Sequence, residues 1–226
     1  MKASSFPLLN IHTHHLSSSP SGIELFNVLW GKESPPRNSY YSLGIHPWYL
    51  PQSLDQAMKS LREECQNPFC LAIGEAGLDR LCASPWDAQQ RAFRLQVQMA
   101  AELGHPLIIH SVRAGEELIK ILQEEKFTGT AIMHGFNQKL SLGQRYLDAG
   151  LILSFGAALL RADSNATAML KTLGPKQVFF LETDDSTVSI ESVYHATCAH
   201  LGVSMETLTT TIFNHFTTLF SRYESN

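Results

Sequence analysis

The chain has 226 residues, of which 44% are hydrophobic, so it can bury a sizeable core, and we expect one domain over residues 1–226. A formal net charge of -4 argues against a broad basic surface for duplex nucleic acid. Any phosphate binding has to come from a local site or from metal charge. The four cysteines show no CxxC pairing, and no apolar run spans a bilayer, so we expect a cytoplasmic protein with reduced thiols and no membrane contact.

Short apolar runs alternate with helical patterns along most of the chain. The predicted strands cover residues 6–12, 23–28, 40–45, 69–74, 106–109, 130–133, 151–155 and 178–181. The predicted helices cover 54–65, a long stretch from about Pro85 to Leu103, and 116–125, 140–149, 166–173, 188–201 and 205–223. The linkers after the first two strands are short and rich in Ser and Pro. This order predicts an α/β protein with a TIM (β/α)8 barrel and reduced helices after those two strands.

Residues of types that bind metals lie at the ends of several predicted strands. His12 and His14 are two apart on a strand, so their side chains point the same way. The other candidates, each after an apolar run, are Glu75, His110, His134 and Asp184. Because the carboxyl ends of barrel strands meet at one face, the sequence predicts a single polar cluster there.

The ligand types and their number indicate the chemistry of this cluster. Imidazole and carboxylate groups without thiolates suit Zn, Mn or Mg, and six ligands exceed what one catalytic ion takes. We therefore predict two divalent ions that share Glu75. Such a pair, about 4 Å apart, can activate water and hold both oxygens of a phosphodiester displacement. A single strand-end His or Asp is more often a surface residue, but six in one predicted layer make coincidence improbable.

Other residues have less decisive patterns. His46, before Pro47, fits substrate binding, support of the ligands or a turn cap. Arg113 and Lys139 follow ligand strands closely enough to bind a substrate phosphate, with a solvated surface charge as an equal alternative. Asp79 either supports the ligands or anchors the loop after Glu75. Structural or surface roles are expected for the remaining histidines, which are His15, His105, His195, His200 and His215.

A set of ordered motifs runs through nearly the whole chain: NIHTHH, SLGIHPW, AIGEAGLDR, PLIIHS, MHGF and LETDD. Together they resemble the TatD family of metal-dependent hydrolases, which are metallo-dependent-hydrolase TIM barrels. The resemblance implies that His12, His14, Glu75 and Asp184 bind one ion and that Glu75, His110 and His134 bind the other. It also implies catalytic roles for Asp184 and Glu75, with Asp184 acting as base towards the attacking water.

The sequence departs from the family pattern at several positions. Asn10 stands where the family usually has Asp before the HxH motif. Arg113 comes one residue later than the usual arginine, and the Pro-rich loop that normally follows Asp184 is missing. We expect a preserved metal site with shortened substrate walls.

Three functions fit these observations. The first is a phosphodiesterase or deoxyribonuclease of the exonuclease type, using water activated by two metals on DNA or short oligonucleotide ends. The second is hydrolysis of an ester or amide bond, as in a deacylase acting on aminoacyl-tRNA or on a small molecule. The third is a non-catalytic metal-binding barrel. The oligomeric state stays open, and a monomer is compatible with the sequence.

Overall fold

The computed structural model describes residues 6–17 and 22–223, and its strands form one eight-stranded parallel sheet. Each strand pairs with the next one along the chain. The strands are β1 (Leu8–Thr13), β2 (Gly22–Leu29), β3 (Tyr41–Gly44), β4 (Cys70–Asp79), β5 (Leu107–Val112), β6 (Ala131–Met133), β7 (Ile152–Phe155) and β8 (Phe179–Leu181). This topology confirms the predicted TIM barrel.

Helices alternate with the strands from β3 onward and pack against them. They are α1 (Leu54–Glu64), α2 (Trp86–Leu103), α3 (Gly115–Glu124), α4 (Leu140–Asp148), α5 (Asn165–Leu173), α6 (Ile190–Leu201) and α7 (Met205–Leu219). The link between β2 and β3 contains no helix, as predicted, and the Ser- and Pro-rich link between β1 and β2 lies partly outside the described residues. None of these seven helices is long and apolar enough to cross a membrane. All four cysteines are free.

The end of β8 closes the barrel against β1. Thr13 pairs with Asp184 in a parallel bridge, and the Asp184 carbonyl accepts a hydrogen bond from the His14 amide at 3.0 Å. The buried Asn10 reinforces this seam, because its Nδ2 donates to Thr183 Oγ1 at 2.8 Å and its Oδ1 accepts from the Thr183 amide at 3.0 Å. The residue that departs from the family pattern therefore has a role in closing the sheet.

Two strands extend by three or more residues beyond their predicted ends at residues 74 and 109. In the structure β4 continues to Asp79 and β5 to Val112, so Glu75 and His110 lie within strands. Gly77 pairs with His110 in this extension, and a Cβ at Gly77 would lie 2.0 Å from the His110 carbonyl oxygen. The missing side chain thus lets the two strands stay paired, a close approach that apolar periodicity does not reveal.

The last two helices are shorter than predicted. The helix predicted from residue 188 begins at Ile190, because the Ser189 hydroxyl accepts a hydrogen bond from the Ser192 amide as an N-cap. The helix predicted to reach residue 223 ends at Leu219. The chain then turns, and the Tyr223 amide donates to the Phe220 carbonyl at 2.9 Å.

Candidate metal centre

Glu75 lies at the centre of a cluster of histidines and carboxylates within the barrel. Its side chain is almost fully buried. One carboxylate oxygen, Oε2, lies 3.7 Å from Nε2 of both His12 and His14. The same two nitrogens lie 3.5 and 3.6 Å from Asp184 Oδ1. Two imidazoles and two carboxylates therefore face one another in the first half of the cluster.

The second carboxylate oxygen of Glu75 faces a different set of imidazoles. Oε1 lies 2.7 Å from His110 Nδ1 and 2.8 Å from His134 Nε2. His46 Nε2 is 3.4 Å from the same oxygen. The six residues predicted as metal ligands thus converge, and Glu75 links the two halves through its two oxygens.

His12 shows that the first half suits a cation better than a hydrogen-bond network. The side chain is fully buried, yet neither ring nitrogen has a hydrogen-bond partner among the described residues. Buried polar atoms are rarely left unpaired. The spacing of 3.5 to 3.7 Å to Asp184 and Glu75 is too long for good hydrogen bonds. It matches the separation of roughly 3.4 Å expected for two ligands of one tetrahedral ion.

The charges of the cluster hold the carboxylates ionised. Burial alone would raise the pKa of Glu75, but the charge of His134 and the hydrogen bonds of the surrounding imidazoles hold that pKa well below its usual value. For Asp184, burial is likewise outweighed by the nearby His12 imidazole and the charge of His134, which lower the pKa to about 2. The carboxylates are therefore negative at neutral pH, as metal ligands must be.

The same interactions favour the protonated form of two histidines. Burial lowers the pKa of His134, but the charge of Glu75 and the carboxylate of Glu182 raise it well above its usual value. Interaction with Glu75 is the main cause of the raised pKa of His14. An ion entering this cluster must displace those protons.

Metal retention is accordingly expected to fall steeply between about pH 8 and about pH 5. Each histidine that must lose a proton lowers the apparent affinity about tenfold per pH unit below its pKa. Dialysis of zinc-loaded protein across this range, followed by metal analysis, checks the prediction. Equal metal content at both ends would contradict it.

In chelator-treated protein the shifted pKa values of His14, His134 and Asp184 make the free energy of unfolding depend on pH. The raised pKa values of His14 and His134 stabilise the fold below the ordinary value of 6.5, and this contribution is lost as the pH rises through the raised values. The lowered pKa of Asp184 stabilises the fold above 3.8, and that contribution is lost as the pH falls to about 2. Differential scanning calorimetry of the chelator-treated protein should give the highest Tm between pH 3.8 and pH 6.5. Added zinc should move the pH of this highest Tm upward. An optimum that zinc does not move would count against this view.

His46 combines two of the three roles that its sequence position suggested. Its Nδ1 accepts a hydrogen bond from the Trp48 amide at 3.1 Å and so caps the short 3-10 turn Pro47–Tyr49. Its Nε2 faces Glu75 in the group of candidate metal ligands, called the metal cluster, which consists of His12, His14, Glu75, His110, His134 and Asp184. Burial lowers the pKa of His46, so the neutral imidazole is favoured. This is the form that binds metals and accepts hydrogen bonds.

Asp79 both supports the cluster and anchors its loop. Oδ2 accepts a hydrogen bond from Trp48 Nε1 at 2.5 Å and lies 3.4 Å from His110 Nε2. Oδ1 accepts from the Leu81 amide at 2.7 Å. With His110 between Glu75 and Asp79, the ring orientation of this histidine is fixed from both sides.

Two buried residues of the site carry no role in the sequence-based prediction. Asn27 on β2 donates from Nδ2 to Glu75 Oε2 at 3.1 Å, and its Oδ1 accepts from the Glu75 amide at 2.9 Å. Glu182 accepts from the Gly135 amide at 2.7 Å and lies 3.4 Å from His134 Nδ1. A polar side chain inside a buried strand was the available signal for Asn27, and the LETDD motif was the signal for Glu182.

The metal cluster opens into a cavity of about 320 Å³. Besides cluster residues, it is lined by Leu29, Trp48, Tyr49 and Asp185. A second cavity of about 280 Å³ lies on another side of Asp184, between the ends of β6, β7 and β8. Both cavities are therefore in contact with Asp184.

The predicted substrate-binding cations lie elsewhere. Arg113 and Lys139 are exposed, and neither lines the cavity above the metal cluster. Arg113 adopts a positive φ of 52° beyond the end of β5, and Lys139 precedes the first turn of α4. Their roles stay predictions, whereas His46, the third predicted substrate residue, lines the cavity.

The parallel barrel and its converging histidines and carboxylates define the protein as a TIM barrel with a candidate metal centre. Residues 12–221 match the family model of the TatD related DNases, so the chain belongs to that family. The family resemblance predicted from the motifs is confirmed.

Proteins of similar sequence are named as metal-dependent hydrolases. A Mycobacterium tuberculosis protein called uncharacterized metal-dependent hydrolase TatD is 28% identical over 155 residues, which cover 66% of this chain and 58% of the relative. An uncharacterized metal-dependent hydrolase from Buchnera aphidicola is 31% identical over 160 residues, covering 66% and 60%. The matched part of this chain therefore spans about three fifths of the length of these two relatives.

Solved structures support the fold. The structure of YjjV, a TatD homolog from Escherichia coli, aligns with a TM-score of 0.80 at 20% identity over 95% of this chain and 98% of that chain. An uncharacterized amidohydrolase from Saccharomyces cerevisiae aligns with a TM-score of 0.75 at 14% identity over 95% and 100%. At these identities the likeness shows the barrel alone.

Proposed function

We propose that this chain is a divalent-metal-dependent hydrolase that cleaves phosphodiester bonds at the ends of DNA or short oligonucleotides. The observation that carries the proposal is the arrangement around Glu75, whose two carboxylate oxygens face two different ligand groups. A carboxylate shared in this way is typical of sites that hold two catalytic ions. The name of the matching family model, TatD related DNase, supports DNA as substrate.

The described residues would provide ligands for two ions. His12, His14, Glu75 and Asp184 would hold the first, and the ligand atoms of His12, His14 and Asp184 lie within reach of one ion. Glu75, His110 and His134 would hold the second, because the two imidazoles lie 2.7 and 2.8 Å from Glu75 Oε1. The ligand atoms of His46, Glu75 and His110 also lie within reach of one ion. Nitrogen and carboxylate oxygen donors fit Zn, Mn or Mg. Bound divalent ions lower the pKa of water towards 7 and stabilise charge on phosphate oxygens.

Asp184 is the residue best placed to handle the proton of the attacking water. Both Asp184 and Glu75 line the cavity, but the Asp184 side chain is 43% exposed whereas that of Glu75 is 5% exposed. A pKa of about 2 keeps Asp184 ionised across the neutral range, which makes it a hydrogen-bond acceptor at every relevant pH. It would therefore accept a hydrogen bond from the attacking water and orient it, and it would receive the proton only where a bound divalent ion has lowered the pKa of that water.

The volume of the cavity and the net charge of the chain favour action at the ends of a nucleic-acid strand. The cavity volume of about 320 Å³ is at the lower end of the range for small-ligand sites. Such a cavity accommodates one terminal residue more readily than a long duplex. The net charge of -4 also argues against an extended contact with phosphates.

One observation favours a second candidate, the hydrolysis of a carboxylic ester or amide. Neither Arg nor Lys lines either of the two cavities beside Asp184 in the described chain. Phosphodiesters are usually held by such cations, and a neutral ester does not need them. The metal ions would then be the main positive charge that the substrate meets.

An assay of both bond types separates the candidates. Purified protein is incubated with Zn, Mn or Mg and either end-labelled single-stranded DNA or a panel of carboxylic and aminoacyl esters. We expect release of labelled mononucleotides, abolished in His110→Ala and unchanged in His195→Ala, which alters an exposed histidine on α6. Ester turnover without DNA cleavage would support the second candidate. Inertness on every substrate, with metal bound, would overturn both.

A further inference from the structure

Two aromatic side chains are exposed at the mouth of the metal cavity. Trp48 is 53% exposed and Tyr49 is 39% exposed, although both are large residues that usually bury most of their surface. Both belong to the 3-10 turn that follows His46, and both line the cavity. Apolar surface left in water at a concave site is typical of a ligand contact.

The Trp48 ring lies next to the metal cluster. Its centroid is 5.1 Å from that of His46 and 6.2 Å from that of His110. Leu29 adds a further apolar group to the same cavity. A flat group that contacts the indole would thus lie close to a phosphate held by divalent ions at Glu75 and its histidines.

The indole is held in place before any ligand arrives. Its Nε1 donates to Asp79 Oδ2 at 2.5 Å, and the Trp48 amide donates to His46 Nδ1 at 3.1 Å. Asp79 is itself fixed, because its amide donates to Gln89 Oε1 at 2.8 Å. A rigid aromatic surface loses little conformational entropy on binding, which favours stacking.

A cation lies beside this aromatic surface. Lys32 Nζ is 4.9 Å from the centroid of the Tyr49 ring. This ammonium group is outside the metal cluster and does not line the cavity. It adds a positive charge next to the Tyr49 ring, of the kind that attracts phosphate groups.

We propose that Trp48 and Tyr49 form a nucleobase-stacking wall, on which the base of the terminal nucleotide packs while its phosphate lies at the metal cluster. The assignment rests on the proposed nuclease function and adds the part of the substrate that the aromatic turn recognises. Because every base has a flat aromatic face, stacking tolerates all four bases. The wall therefore selects for the presence of a base and not for its identity.

The test compares a nucleotide with the sugar phosphate in which a hydroxyl group replaces the base. Isothermal titration calorimetry on zinc-loaded protein measures the affinity for thymidine 5′-monophosphate and for 2-deoxyribose 5-phosphate. We expect the nucleotide to bind roughly tenfold more tightly, within the range of base stacking on aromatic residues. In Trp48→Ala this preference should nearly disappear, whereas Trp48→Phe should retain part of it. The measured quantity is the ratio of the two affinities within each variant, because both variants lose the Nε1 hydrogen bond to Asp79 and any effect of that loss on the metal site changes both ligands alike.

Leu160→Ala is the matched control. Leu160 is 48% exposed in the other short 3-10 turn, Ala157–Leu160, and does not line the metal cavity. This variant should keep the full preference for the nucleotide. Equal binding of the two ligands by the unaltered protein, or an unchanged preference in Trp48→Ala, would overturn the stacking wall. Because binding is measured without turnover, a preference that depends on Trp48 would support the wall even if the DNA assay fails.

Discussion

Replacing Glu75 by glutamine is expected to lower kcat/KM by a factor of at least about 10³, the scale on which removal of a central electrostatic group acts. Glutamine keeps the shape of the side chain but has one oxygen instead of two and no charge. In the native protein one carboxylate oxygen faces His12 and His14, and the other faces His110 and His134. The neutral amide cannot bridge two ions, so both halves of the site should lose affinity.

Metal content and hydrolysis are measured together on Glu75→Gln and on Glu63→Gln, an exposed position of α1. The control should match the unaltered protein in both. A second readout is the titration of His134 by NMR in chelator-treated protein, because the charge of Glu75 is a main cause of its raised pKa. That pKa should fall in the variant. Full activity with two bound ions in Glu75→Gln would refute the bridging role.

The convergence of the six candidate metal ligands could be predicted from the sequence because strand geometry decides where they lie. Alternation along β1 and into the residue that follows it puts His12 and His14 on one side, and the parallel order of the strands brings the remaining four to the same end of the barrel. The prediction needed no correct strand boundary. Glu75 and His110 lie inside longer strands than expected, and still converge.

The substrate side of the site was less predictable, because it depends on turns and not on periodicity. Arg113 comes three residues after His110 and directly after β5, yet a positive φ of 52° occurs just there and its exposed side chain does not line the cavity. Conversely, Trp48 follows His46 in a turn that His46 itself caps, so the indole lies beside the metal cluster. Sequence distance from a strand end gives no direction for a side chain on a loop.

Supporting residues posed a third kind of difficulty. Asn27 and Glu182 are fully buried, and each is recognisable only through its partner, Glu75 for Asn27 and His134 for Glu182. A buried polar residue in a strand indicates that some hydrogen bond exists, but the sequence does not identify the partner. These contacts orient the ligands, and such contacts are often as sensitive to substitution as the ligands themselves.

Asp184→Asn is expected to reduce kcat by about 10²–10⁴, the usual contribution of a positioned general base. Asparagine is nearly the same size and can still place an oxygen near His12 and His14. It cannot take a proton from water. His12, His14 and Glu75 remain as ligands, so part of the bound metal should be retained, which separates this variant from Glu75→Gln.

The measurement that distinguishes the two roles of Asp184 is kcat per bound metal ion. Asp163→Asn, at an exposed position, provides the control and should leave kcat unchanged. If Asp184 acts only as a ligand, activity and metal content will fall in parallel, and excess metal will restore both. If it also accepts the proton of the attacking water, kcat stays low at saturating metal, because the amide nitrogen and oxygen offer no comparable base. Restoration of full kcat by added metal would therefore exclude the base role and leave Asp184 as a ligand alone.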